Sequence, residues 1–127
     1  MVLDTDTISY YLRGSEVVKE KFIQHQRELA STTVNYAELV YGLKKRDNKK
    51  YLPQVEIIFE NIKVYEFDKK SAKMFGILKA DMQKRGVVVA DMDLMIASIT
   101  IANGEELISN NIGHFSKIEI LDVCSWV

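Results

Sequence analysis

The sequence predicts an α/β sandwich: a central, mostly parallel, twisted sheet of four to five short strands flanked by helices in three layers. Three observations point there. Short apolar runs alternate with longer segments of helical periodicity. The helical segments are bracketed by start and stop residues, such as Asp68 before and Gly86 after one, and Asp91 before and Gly104 after another. The chain has a single proline and six scattered glycines, so nothing divides its 127 residues, and residues 1–127 are expected to form one domain.

Taken in order, Met1–Leu3 reads as the end of a buried strand running into Asp4, and a helix follows through Leu12, stopped by Gly14. Ser15–Gln26 reads as a second helix with Val17, Val18 and Phe22 on one face. Leu29–Ser31 is a strand, after which Thr32 or Thr33 caps a helix reaching Lys45. Tyr51–Glu60 is helical despite Pro53, which suits a first turn. Ile62–Phe67 reads as a strand, Asp68 caps the long helix Lys69–Arg85, and Asp91 caps the apolar helix Met92–Asn103. Leu107–Ser109 and Ile118–Leu121 complete the strands. In such sheets ligands gather at the carboxyl ends of the strands.

Composition removes several classes of function. Seventeen basic against eighteen acidic residues give a formal charge of −1, which excludes binding to nucleic acid through bulk charge alone. One cysteine, Cys124, permits neither an intrachain disulfide nor a cysteine-based zinc cluster. No stretch reaches the ~20 apolar residues of a membrane span, and the first residues lack the basic region of a secretory signal. The expected setting is cytoplasmic, without membrane attachment.

The acids are the informative residues. Asp4 ends the first strand and Asp6 follows in Leu3-Asp4-Thr5-Asp6-Thr7. Either can serve as a helix cap or first-turn acid, but one suffices for that task. In the helix after Thr32, Asn35, Glu38, Gly42 and Arg46 form one polar strip on an otherwise apolar circumference, so the strip should open onto solvent or a cleft, with Gly42 leaving room beside the carboxylate. Asp91 and Asp93 open the most apolar helix, where one acid is enough for capping. Ser109, Asn110 and Asn111 follow a strand and can form a turn or hydrogen-bond to metal-bound water or neighbouring carboxylates.

Carboxylates packed together require a cation, and hard oxygen ligands select Mg²⁺ or Mn²⁺. Such an ion clamps a phosphodiester and sharpens a water into a nucleophile. Lys44, Lys45, Arg46, Lys49 and Lys50 crowd the segment beyond the Glu38 helix. The run can be solvated surface or a set of phosphate contacts.

The strings LDTDTISYYLRG, NYAELVYGL, ADMDLMIAS and LISNNIGHF, from Leu3, Asn35, Ala90 and Leu107, occur in the order and spacing of a known family. The chain resembles a PIN-domain ribonuclease of the VapC toxin type from type II toxin–antitoxin systems. The resemblance implies a PIN-like fold, with Asp4, Glu38 and Asp93 as catalytic and metal-binding acids. Asp91 and Asp6 rank second as metal residues, since family members vary at the first and often carry Asn at the second. It places Thr5, Ser109, Asn110 and Asn111 in support. Lys44, Lys45, Arg46 and His114 are candidate substrate contacts. His114 stands where a fourth acid is common, which leaves one metal or two open. The implied function is a Mg²⁺-dependent endoribonuclease, with Mn²⁺ able to substitute, that is a homodimer and is neutralised by a cognate VapB-type antitoxin. Similar members cut tRNA, in some cases the initiator tRNA.

Two other readings fit parts of the sequence. A PIN-like module could bind RNA or a partner while cutting weakly, and His114 favours it. An aspartate-nucleophile phosphatase of the haloacid-dehalogenase type would use Asp4 as nucleophile and Asp6 as acid/base, but gives Glu38 and Ser109-Asn110-Asn111 no role.

Overall fold

The computed structural model describes residues 1–127. Its sheet has five strands in the order β3-β2-β1-β4-β5, every pairing parallel. The strands are β1 (Val2–Leu3), β2 (Ala30–Thr32), β3 (Lys63–Tyr65), β4 (Leu107–Ile108) and β5 (Val123–Cys124). Between them run α1 (Thr5–Leu12), α2 (Glu16–Gln24), α3 (Thr33–Lys45), α4 (Leu52–Asn61), α5 (Lys69–Lys84), α6 (Asp91–Ala102) and α7 (Ile112–Phe115). Because β1 is central and fully buried, Asp4, the next residue, is carried to the middle of the sheet's carboxyl edge.

Two apolar clusters cover the two faces of the sheet. One packs α5 and α6 against it through Leu78, Met82, Leu94 and Ile99; the other packs α1, α2, α3 and α4 through Ile8, Phe22, Leu39 and Val55. Alternate residues of β1 divide between them, Val2 to the first and Leu3 to the second, as strand geometry requires. No helix is long and apolar enough to cross a membrane.

Several boundaries follow local chemistry. Ser15, Thr32 and Asp68 cap α2, α3 and α5 by accepting from Val18, Asn35 and Ser71 N–H groups. Gly14, Gly86 and Gly104 take positive φ where α1, α5 and α6 end. Four expectations are corrected. Ile118–Leu121 is a turn, not a strand: Ile118 and Leu121 bury their side chains from it, and the pairing with β4 falls to Val123–Cys124. Asp91 does not cap α6; Ala90 holds that position. In α2, Val18 and Phe22 are buried while Val17 faces outward. The apolar circumference of α3 does not leave the polar strip as its one open face, since Ala37 and Tyr41 are also exposed.

Candidate active site

Asp4 occupies the N-cap position of α1, yet its side chain makes no capping hydrogen bond. Its carboxylate is committed elsewhere. Oδ1 accepts from Nδ2 of Asn35 at 3.0 Å and Oδ2 accepts from Oγ of Ser109 at 2.7 Å. Both donors are completely buried, and Asp4 itself is only 7% exposed. Asn35 is in turn fixed by its own helix: Thr32 caps α3 through the Asn35 N–H and donates its hydroxyl to Asn35 Oδ1 at 2.7 Å. With that oxygen occupied, the amide NH₂ must face Asp4 and Thr5.

The next acids surround this centre. Thr5 donates to Oε1 of Glu38 at 2.7 Å, leaving Oε2 without a hydrogen bond. Asp6 accepts from the Thr7 hydroxyl and from the backbone N–H of Asn110 at 3.0 Å, which ties the first turn of α1 to the residues after β4. Asp4, Asp6, Glu38, Asp93 and Asn111 line one cleft of about 530 Å³ at the carboxyl end of the sheet. Two larger grooves are set apart from it: one of about 680 Å³ between α2 and α4 is mainly apolar and contains no acid, and one of about 630 Å³ at the amino end of the strands has its Glu105 already engaged by the Met1 ammonium and the Tyr65 hydroxyl.

The electrostatics are those of acids lacking compensation. Burial, aided by the charges of Asp6 and Glu38, pushes the Asp4 carboxyl up to about 6, against the pull of its Ser109 hydrogen bond. Glu38 is raised as well, by burial first and then by Asp93 and Asp6. One basic group comes within 4 Å of these acids: Nε2 of His114 lies 2.9 Å from Oδ2 of Asp93, without the alignment of a hydrogen bond. His114, expected from the resemblance to stand at a fourth-acid position, touches an acid of the cleft.

Other sequence candidates separate. Asp91 turns away and pairs with Lys79 of α5 at 3.0 Å, so it does not join the cleft. Lys44 and Lys45 also lie outside it, Lys45 over the ring of Tyr41, whereas Arg46 lines it. Asn110 uses its side chain on the Tyr10 hydroxyl. Asn35 and Arg13 also belong to the site, the first through its bond to Asp4 and the second as part of the cleft wall. Asn35 carried a signal, its place on the strip with Glu38, while Arg13 carried none. The space at Gly42 serves the guanidinium of Arg46, not the Glu38 carboxylate.

No three acid, imidazole or thiol groups close onto one point as a finished metal cage. The open set of oxygen donors fits Mg²⁺ nonetheless. That ion keeps several waters and binds through one or two carboxylates plus substrate phosphate.

The chain is similar to known proteins over nearly all of its length. Ribonuclease VapC2 of Haemophilus influenzae is 26% identical over 128 residues, covering 99% of this chain and 97% of that protein. The tRNA(fMet)-specific endonuclease VapC of Salmonella typhimurium is 25% identical, covering 98% and 96%. Among solved structures, a DNA-bound VapBC complex from Salmonella typhimurium superposes with a TM-score of 0.91 at 25% identity, over 100% of both chains. VapBC2 of Rickettsia felis, bound to a promoter DNA fragment, gives 0.90 at 25% identity, over 99% and 98%. The family model for the PIN domain matches residues 1–121, and the chain belongs to the PIN domain family.

Proposed function

We propose that the chain is a Mg²⁺-dependent endoribonuclease, with Mn²⁺ able to substitute, formed by a single domain over residues 1–127. It acts as the toxin of a VapBC-type pair, works as a homodimer and is neutralised by a VapB-type antitoxin. Its substrate class is tRNA, a choice supported by the Salmonella typhimurium relative. The observation that carries the reading is Asp4: a buried carboxylate that declines its capping role, is gripped by Asn35 and Ser109, and faces Asp6, Glu38 and Asp93.

Asp4, Glu38 and Asp93 are the proposed ligand and catalytic acids, with Asp6 beside them. A divalent ion bound there supplies charge to polarise the phosphodiester and to make a water more acidic. Asn35 and Ser109 set the direction of both Asp4 oxygens. Thr5 holds Glu38 by Oε1, so Oε2 is the atom available to take a proton from the attacking water. Water adds to phosphorus, one P–O ester bond breaks, and the leaving oxygen gains a proton.

The phosphatase reading loses support, because both oxygens of the supposed nucleophile are engaged and Asp6 is spent on Asn110 and Thr7. The weakly cutting module keeps one observation, the imidazole of His114 against Asp93. The deciding experiment sequences RNA ends from cells expressing the chain or its Asp4→Asn variant, alongside purified protein with and without Mg²⁺ or Mn²⁺. New ends that depend on Asp4 and on the ion are expected. Identical ends in both strains, with RNA binding intact, favour the non-cutting module.

A further inference from the structure

Two arginines line the acidic cleft without neutralising it. Arg13 and Arg46 are the C-cap residues of α1 and α3, the helices that carry Asp6 and Glu38. Neither forms an ion pair, although four acids line the same cleft. Each is instead held by a contact of its own.

Arg46 folds back along α3, where its Nε donates to the Gly42 carbonyl at 3.1 Å. A Cβ at residue 42 would stand 3.1 Å from Nη2 and would meet nothing else within 4 Å. The guanidinium rests in space that a glycine leaves open, with its outer N–H groups free. Arg13 stacks on Tyr10, its Cζ 5.0 Å from the ring centroid. The Tyr10 hydroxyl is held by Asn110, whose backbone N–H is bonded to Asp6. The posture of Arg13 is thus tied to the same loop that holds the acids.

Asn48 adds a neutral donor. Asp47 takes a positive φ of 50°, the chain turns back, and the Asn48 N–H donates to the Leu43 carbonyl at 2.9 Å. Oδ1 of Asn48 accepts from the Lys50 N–H at 3.1 Å, which leaves Nδ2 as an unused donor on a residue that lines the cleft. Donors that no protein group consumes share this cleft with acids that no cation compensates. Phosphate oxygens accept from such donors, and a metal-bridged scissile phosphate suits such acids.

We propose that Arg13, Arg46 and Asn48 form a phosphate-binding rim that seats the RNA backbone beside the scissile bond. The inference rests on the endoribonuclease reading and deepens it. Contacts of this kind fix position and carry no base sequence, so the rim sets how tightly any RNA is held rather than which one is chosen. The Lys44–Lys45 pair does not line the cleft, so the basic run contributes to the rim through Arg46.

The test uses the full chain and unfractionated tRNA. Cleavage kinetics are measured for the wild type, Arg13→Ala, Arg46→Ala and Gly42→Ala. Binding is measured by anisotropy on the Asp93→Asn background across a salt series. Each arginine variant should raise KM about tenfold while kcat falls less than about threefold. Each should also flatten the slope of log affinity against log salt by roughly 0.7–0.9. Gly42→Ala keeps the arginine but displaces it, so KM should rise about threefold while the melting temperature holds or increases. If the wild type cuts tRNA but the arginine variants keep its KM and salt slope, or lose kcat alone, the rim is wrong and the ribonuclease reading stands. If the wild type neither cuts with Mg²⁺ or Mn²⁺ nor binds as Asp93→Asn, both fall.

Discussion

The two ends of the sheet each hold a polar groove lined by acids, and the surroundings of Glu105 at one end are opposite to those of Asp4 and Glu38 at the other. At the amino end a groove of about 630 Å³ contains Glu28, Glu105, Glu106 and Asp122. Burial alone would raise Glu105, but the Met1 ammonium, the Tyr65 hydroxyl and the charge of Lys63 outweigh it and hold the carboxyl low. At the carboxyl end, Asp4 and Glu38 are buried among further acids and both are raised. An acid that the fold has already matched with cations contributes structure. One left unmatched stores a demand for something from outside.

The contrast yields three predictions, the largest first. Asp4→Asn or Asp93→Asn should lower RNA cleavage by about a thousandfold or more in single-turnover assays, whereas Glu105→Gln should leave it within about twofold. Comparable losses at both ends would mean that compensation does not distinguish a site from a brace.

The second concerns stability without metal. The Asp4 carboxyl is higher in the fold, about 6, than its ordinary 3.8, so between those values the folded state binds the extra proton. By linkage, this group's contribution to stability weakens as pH rises from about 4 through 6. Asp4→Asn should therefore stabilise the metal-free protein by roughly 2 kcal/mol at pH 7, allowing for the weaker grip on Asn35 and Ser109. The gain should vanish near pH 4. Thermal melts of both proteins over this range in a chelator give the answer, and a destabilised variant at pH 7 would show that Asp4 is structural.

The third and smallest reverses the sign. Glu105→Gln should cost about 1 kcal/mol at pH 7, because it removes a carboxylate that the fold holds low. The cost should fade in acid, as the wild-type carboxyl protonates, and denaturant titrations at neutral and acid pH would reveal it.

What the sequence made legible follows the range of the interactions involved. Thr32, Asp68 and Gly86 announce helix ends because their partners lie within a few residues. The last strand was misplaced because Ile118 and Leu121 are apolar for a reason unrelated to pairing: they plug the core from a turn, while the true partner of β4 is two residues long. Asp4 looked equally like a cap and a ligand. Only residues 31 and 105 positions away decide, since Asn35 and Ser109 remove it from capping. Asp91 and Asp93 were indistinguishable by type, and α5 separates them by presenting Lys79 to one. Arg13 was illegible because its relation to the cleft passes through Tyr10 and Asn110.

The position of β1 between β2 and β4 also governs when the acids can come together during synthesis. Val2 and Leu3 are made before Leu107 and Ile108, and their pairing must wait for all the residues between them. Ser109, which holds the second oxygen of Asp4, comes later still. A chain emerging from the ribosome residue by residue therefore carries Asp4 and Glu38 long before it has α6 and the edge of β4, which bring Asp93 and Ser109 to them. The cleft therefore closes only after Ser109 has been made, and a chain that stops short of it carries Asp4 and Glu38 without the completed site.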